Sequence, residues 1–136
     1  HSFDDDQVSM VSAMSKIENI KDLQDPNVVK VVVDTQNNAI YFSRATIPYS
    51  RDHQGTIELN EELKKHHFFR HIGIYGYQKD FLAKYIKMDQ TNLEKLEKLE
   101  QLRVIENGFK IKMILANSSL IGIDTQEDYE EALKKY

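Results

Sequence analysis

Residues 68–77, FFRHIGIYGY, alternate with period two, so that Phe68, Ile72 and Ile74 fall on one face and Phe69, His71, Gly73, Tyr75 and Tyr77 on the other. The pattern predicts a strand. Glycine weakens a strand interior, and its usual reasons there are a bulge or the close approach of a ligand or another backbone. The face bearing His71 and the tyrosines is therefore expected to meet something.

The same reading extends along the chain. VSMVSAMSKI (8–17) predicts an extended strand, and IENIKDLQDPN a short connection ending at Asp25-Pro26-Asn27. VVKVVVD and AIYFSRATIP flank the turn residues Gln36-Asn37-Asn38 and predict a hairpin that Pro48 ends or bends. Residues 50–66 are polar without sustained period and predict a mobile excursion with one short helix at 60–66. QKDFLAKYIKM spaces Phe81, Leu82, Tyr85 and Ile86 as a helix does, and FKIKMILA alternates as a half-exposed strand. A terminal helix is expected over 125–136, opened by Asp124-Thr125.

The clearest helix is TNLEKLEKLEQLRVIENG, with Thr91 and Glu94 as a capping box and Asn107-Gly108 as a left-handed stop. At about 100° per residue, Leu93, Leu96, Leu99 and Leu102 cover one half of it. Glu100 falls between Leu93 and Leu96 on that wheel, with Arg103 beside Leu96. An inward carboxylate needs a partner. The plain reading is an i, i+3 salt bridge between Glu100 and Arg103, and the sharper one is a ligand contact.

A chain of 136 residues with 40% apolar positions fits one domain spanning 1–136, of which residues 1–6 are expected to be disordered or of cloning origin. The order of elements gives a mixed α/β fold, a sheet with flanking helices. A net charge of -4 argues against a nucleic-acid footprint, and no run approaches the ~20 apolar residues of a membrane span. Absent cysteine excludes a disulfide framework or a thiolate zinc site and fits a cytoplasmic location. With five scattered glycines the chain has no phosphate-cradling loop, and no P-loop, dinucleotide fingerprint or metalloprotease motif occurs.

Single residues stay open at this level. Arg44 ends an apolar strand, where a guanidinium forks onto either a structural partner or an anionic ligand. Asp124 caps the last helix or holds a hard cation. His66, His67 and His71 are close in sequence, but a helix-to-strand boundary between them would scatter their directions, so a three-histidine metal site is the poorer reading. Tyr75 and Tyr77 are core, interface or substrate aromatics.

Taken together, DPNVVKVV, YFSRATIPYSRD, RHIGIYGY, NLEKLEKLEQLR and GIDTQEDYEEA resemble the second half of the 3-deoxy-manno-octulosonate cytidylyltransferases, in order over roughly residues 8–135. That resemblance implies a partial Rossmann-like sugar nucleotidyltransferase fold that includes its dimerisation strands. It implies an enzyme of lipopolysaccharide biosynthesis that joins CTP and the sugar acid Kdo, with Mg2+, to give CMP-Kdo and pyrophosphate. By resemblance Arg44, His71, Tyr75, Glu100, Gln101 and Arg103 line the sugar site and Asp124 is one of two magnesium-binding aspartates, with Gly73 leaving room for close packing beside His71. Gln78 departs from the family's arginine after the two tyrosines. The nucleotide loop and the other aspartate belong to the family's first half, so the chain is expected to be a carboxy-terminal portion, homodimeric, and inactive alone. The alternatives are a noncatalytic dimeric interaction module and a cytidylyltransferase for another sugar acid such as sialic acid.

Overall fold

The computed structural model describes residues 8–52 and 55–117. Its elements are β1 (Val8–Lys16), α1 (Ile20–Gln24), β2 (Lys30–Val33), β3 (Ala39–Ser43), α2 (Thr56–Lys65), β4 (Phe69–Tyr77), α3 (Lys79–Ile86), α4 (Asn92–Glu97), α5 (Leu102–Glu106) and β5 (Lys110–Leu115). The expected mixed α/β arrangement is present. One sheet runs in the order β3-β2-β4-β1-β5, with β1 and β5 parallel and the other neighbours antiparallel. The β2–β3 hairpin tip curls back to β5, where Asn37 O accepts from Met113 N at 2.7 Å.

Alternation explains the core. β1 buries Val8, Met10, Ser12 and Met14 on one face, and β5 buries Ile111 and Met113. Met10, Met14, Ile111 and Met113 pack with Val31, Phe42, Phe81, Leu99, Leu102 and Val104. A second cluster joins Ile17, Leu23, Leu63 and Phe68. The short helix expected at 60–66 within the 50–66 excursion is present but longer, as α2, and this cluster packs it down in place of the mobile loop expected there. Leu59 and Leu63, four residues apart, make a narrow apolar stripe that is buried, and each such burial stabilises by about 1.5–3 kcal/mol. Two leucines among charged residues were too few to register as a period.

The helix expected over 91–108 is two helices. α4 ends at Lys98, whose φ of 59° and ψ of 46° are left-handed, and α5 begins at Leu102. Leu99 and Leu102 are buried while Leu96 is 72% exposed, because the break resets the phase that one continuous wheel would keep. The stop at Gly108 forms as expected, with φ of 83° and bonds from Gly108 N to Ile105 O and Phe109 N to Val104 O. A left-handed non-glycine residue costs about 1 kcal/mol. Lys98→Gly is therefore expected to raise the unfolding free energy by up to about 1 kcal/mol, measured as a higher urea midpoint at unchanged slope. An unchanged or lower midpoint would show that Lys98 carries no such strain.

Candidate functional site

The site begins with a break in the β1–β4 ladder. Ser12 opposes Tyr75 while the next residue, Ala13, opposes Ile72, so Gly73 and Ile74 bulge out of β4. The glycine thus lies in a bulge, one of the two settings expected of it. A side chain at Gly73 would meet nothing within 4 Å, so the expected close packing beside His71 is not what it serves among the described residues. The bulge also turns Ile74 outward to 62% exposure, against the period-two expectation that grouped it with buried Ile72. Carbonyls released from a ladder need donors. The Ser12 hydroxyl supplies one, lying 2.8 Å from Ile74 O and 3.2 Å from Ile72 O.

His71 sits between β1 and the link from α4 to α5. Its Nε2 is 2.7 Å from Ser12 Oγ, and its Nδ1 is 3.3 Å from Gln101 Nε2. Phe42 meets the ring edge-on at 4.8 Å and Tyr75 lies tilted at 5.5 Å. Burial lowers the His71 pKa to about 4, so the ring is neutral near pH 7. Tyr75, Tyr77 and Tyr85 continue the aromatic row, with centroids 6.2 and 5.7 Å apart. Burial pushes the Tyr75 hydroxyl well above the ordinary phenol range, helped by Tyr77, Tyr85 and the Glu100 carboxylate. Tyr75 nonetheless keeps 38% of its surface open, so it is both desolvated and reachable.

The remaining sequence-predicted residues divide. Gln101 is buried at 4% exposure and joins His71. Glu100 is exposed, which corrects the inward carboxylate expected from a continuous wheel. It still acts electrostatically on Tyr75, Tyr77 and Tyr85. The buried acid is Glu94, at 3% exposure. Arg103 pairs with Glu94, through Nε to Oε1 at 2.9 Å and Nη2 to Oε2 at 2.5 Å, and lies 5.3 Å over the Tyr85 ring. The expected Glu100–Arg103 bridge is thus replaced by a bidentate pair across the break. Glu94 also accepts from Thr91 N, its half of the predicted capping box.

Arg44 braces the same break. Its Nε donates to Glu97 O at 2.8 Å, Nη1 to Pro26 O at 3.1 Å and Nη2 to Lys98 O at 3.4 Å. A cation on the last carbonyls of a helix is favourable. The guanidinium is committed to backbone oxygens, the structural-partner reading of a rim arginine. Glu97 anchors it from the other side, accepting from Arg44 N and Tyr41 Oη, both at 3.0 Å.

His66, His67 and His71 do not converge: His66 approaches Glu62 at 3.7 Å, His67 stacks on Phe69 at 5.9 Å, and His71 is inside the site. Among the described residues no group of three or more histidine, aspartate or glutamate side chains could hold a metal ion. Asp124, the residue the resemblance assigns to magnesium, lies outside the described residues.

Sequence reasoning missed Ser12 and the role of Glu94. A serine in line with Val8, Met10 and Met14 was the available signal for the first. No signal preceded the helix break that made the second.

Residues 1–113 match the family model described as cytidylyltransferase. The 3-deoxy-manno-octulosonate cytidylyltransferase of Fusobacterium nucleatum is 48% identical over 126 residues, covering 93% of this chain and 47% of that protein. That of Histophilus somni strain 2336 is 44% identical over 129 residues, covering 92% and 50%. The solved structure of CMP:2-keto-3-deoxy-manno-octonic acid synthetase complexed with CTP superposes with a TM-score of 0.78 at 32% identity, over 97% of this chain and 51% of that one. The chain spans about half the length of the relatives it matches. With its broken leucine helix, bulged histidine strand and a family match over most of its length, the chain belongs to the cytidylyltransferase family.

Proposed function

We propose that this chain is the carboxy-terminal, sugar-binding portion of an enzyme that transfers a cytidylyl group from CTP to Kdo, releasing pyrophosphate and supplying CMP-Kdo to lipopolysaccharide synthesis. The observation that carries the reading is the likeness, over nearly the whole chain, to proteins named for that reaction. The site's chemistry is compatible with it. Exposed Glu100 offers a carboxylate to sugar hydroxyls, Tyr75 offers a reachable phenol, and Gln101 and His71 stand behind them as neutral hydrogen-bonding groups. In this reading Asp124 together with an aspartate from an amino-terminal half would hold magnesium, which would supply charge neutralisation for the departing pyrophosphate. The assembly is a cytoplasmic homodimer.

The expected result is that mixing this chain with a separately produced amino-terminal half restores pyrophosphate release from CTP, Kdo and Mg2+. Losing a hydrogen bond to a charged group costs about 1.5–3 kcal/mol. Glu100→Ala is therefore expected to lower the restored rate about ten- to hundredfold. Full activity of that variant would remove Glu100 from the site.

A second reading, a noncatalytic dimeric module, draws on exposed apolar side chains: Ile86 and Leu96 are each 72% exposed and Leu115 is 60% exposed. Dimerisation with no turnover in the mixing assay favours the module. Turnover with sialic acid in place of Kdo favours the neighbouring sugar specificity.

A further inference from the structure

Both ring nitrogens of His71 are engaged, and the donors around them decide where its proton sits. Ser12 Oγ is within hydrogen-bonding distance of three atoms, His71 Nε2 and the carbonyl oxygens of Ile72 and Ile74. A carbonyl oxygen only accepts, so the single hydroxyl proton goes to the bulge. Ser12 Oγ must then accept from the ring, which puts the proton on Nε2. In a neutral ring this leaves Nδ1 bare. A bare Nδ1 facing Gln101 is met by the amide NH2, which fixes the orientation of that amide as well. The opposite tautomer would spend the hydroxyl proton on Nε2 and leave both bulge carbonyls without the Ser12 donor. Ser12 is 3%, Ile72 4% and Gln101 4% exposed, so bulk water replaces neither the Ser12 donor at Ile72 O nor the Gln101 donor at Nδ1.

We propose that Ser12 locks His71 as the Nε2–H imidazole and thereby makes Nδ1 an obligate acceptor, so that a ligand replacing the Gln101 amide there must offer a hydroxyl and not a carboxylate. The selectivity rests on the sugar-binding reading above, whereas the tautomer does not. The lowered pKa agrees, since a neutral ring is the only form with a bare nitrogen. Ser12 is a positioning residue. It touches the ring and the bulge, and it acts on a ligand through His71.

The test is nitrogen-15 NMR of this chain labelled at histidine, at pH 7 and without ligand. The expected spectrum shows Nδ1 of His71 as an imine-type nitrogen and Nε2 as a protonated, pyrrole-type one. Ser12→Ala is expected to produce a mixture of tautomers, and Ser12→Thr to restore the single form. A wild-type Nδ1–H tautomer, an imidazolium, or an unaltered single tautomer in Ser12→Ala would each overturn the assignment. Should Ser12→Ala not fold, Gln101→Glu decides: Nε2 is expected to keep its proton whether or not the new carboxylate draws a second one onto Nδ1, and a neutral ring protonated on Nδ1 with a bare Nε2 overturns the lock. Adding Kdo to the labelled chain is expected to shift Nδ1 without protonating it. Protonation, or no shift at the highest concentration, defeats the selectivity while the ligand-free spectrum still decides the tautomer. A correct tautomer with no turnover in the mixing assay counts against the enzyme reading alone.

Discussion

Replacing Arg103 by alanine is expected to destabilise the chain by about 3–5 kcal/mol, the cost of leaving a buried carboxylate without its partner. The abandoned group is Glu94, whose side chain is 4% exposed against 16% for Arg103. Two parallel N–H to oxygen bonds hold it, and Arg103 also covers the Tyr85 ring, so the loss combines charge, hydrogen bonding and packing. Urea unfolding reads it as a lower midpoint at unchanged slope. Glu94→Leu combined with Arg103→Met is expected to recover most of it, because neither charge then remains to be desolvated. Glu100→Ala is expected to stay within about 0.5 kcal/mol, as exposed substitutions do. If Glu100→Ala proved as costly as Arg103→Ala, the pairing across the helix break would be wrong. The pair also has a pH signature. Hydrogen bonding to Arg103 pulls the Glu94 carboxyl below its ordinary value, so its contribution is present above the usual carboxylate range and lost as pH falls through the lowered value.

A second loss of similar size is expected on the acid side of neutrality, from His71. Its pKa is about 4 when folded and ordinarily about 6.5, so between these values the unfolded chain binds a proton that the folded chain refuses. Stability is complete above about pH 6.5, declines by about 1.4 kcal/mol per pH unit at most, and has lost roughly 3 kcal/mol by pH 4. The upper part of that window lies above the range where Glu94 protonates, which separates the two effects. Unfolding free energies measured from pH 7 to 4.5 in the wild type and in His71→Gln give the check. Equal slopes in both would show that His71 ionises as freely inside the fold as outside it.

Much of this architecture was readable without coordinates. The alternation in FFRHIGIYGY placed β4, the β-branched run before Gln36-Asn37-Asn38 placed the hairpin, and Asn107-Gly108 placed the end of α5, because these signals depend on residues within a few positions of one another. Gly73 advertised its bulge. Two features escaped for one reason: nothing local announces them. Lys98 adopts a left-handed conformation that its side chain disfavours, held there by a cap whose donor, Arg44, lies more than fifty residues away. Leu63 in α2 gains its meaning only from Leu23 of α1, Ile17 and Phe68, against which it packs.

The candidate site divides along the same line. The resemblance, carried by motifs in chain order, brought His71, Tyr75, Glu100 and Gln101 forward as a group; pattern alone had marked His71 and Tyr75 on one strand face and Glu100 as a carboxylate in need of a partner. Which carboxylate is buried, which arginine is already spent, and which serine completes the histidine were settled only when β1, β4 and the α4–α5 break came together. Periodicity extrapolates a helix for as long as the pattern lasts. A single backbone turn at Lys98, stabilised by contacts far along the sequence, rotates everything after it, and the roles of Glu94, Glu100 and Arg103 follow from that rotation.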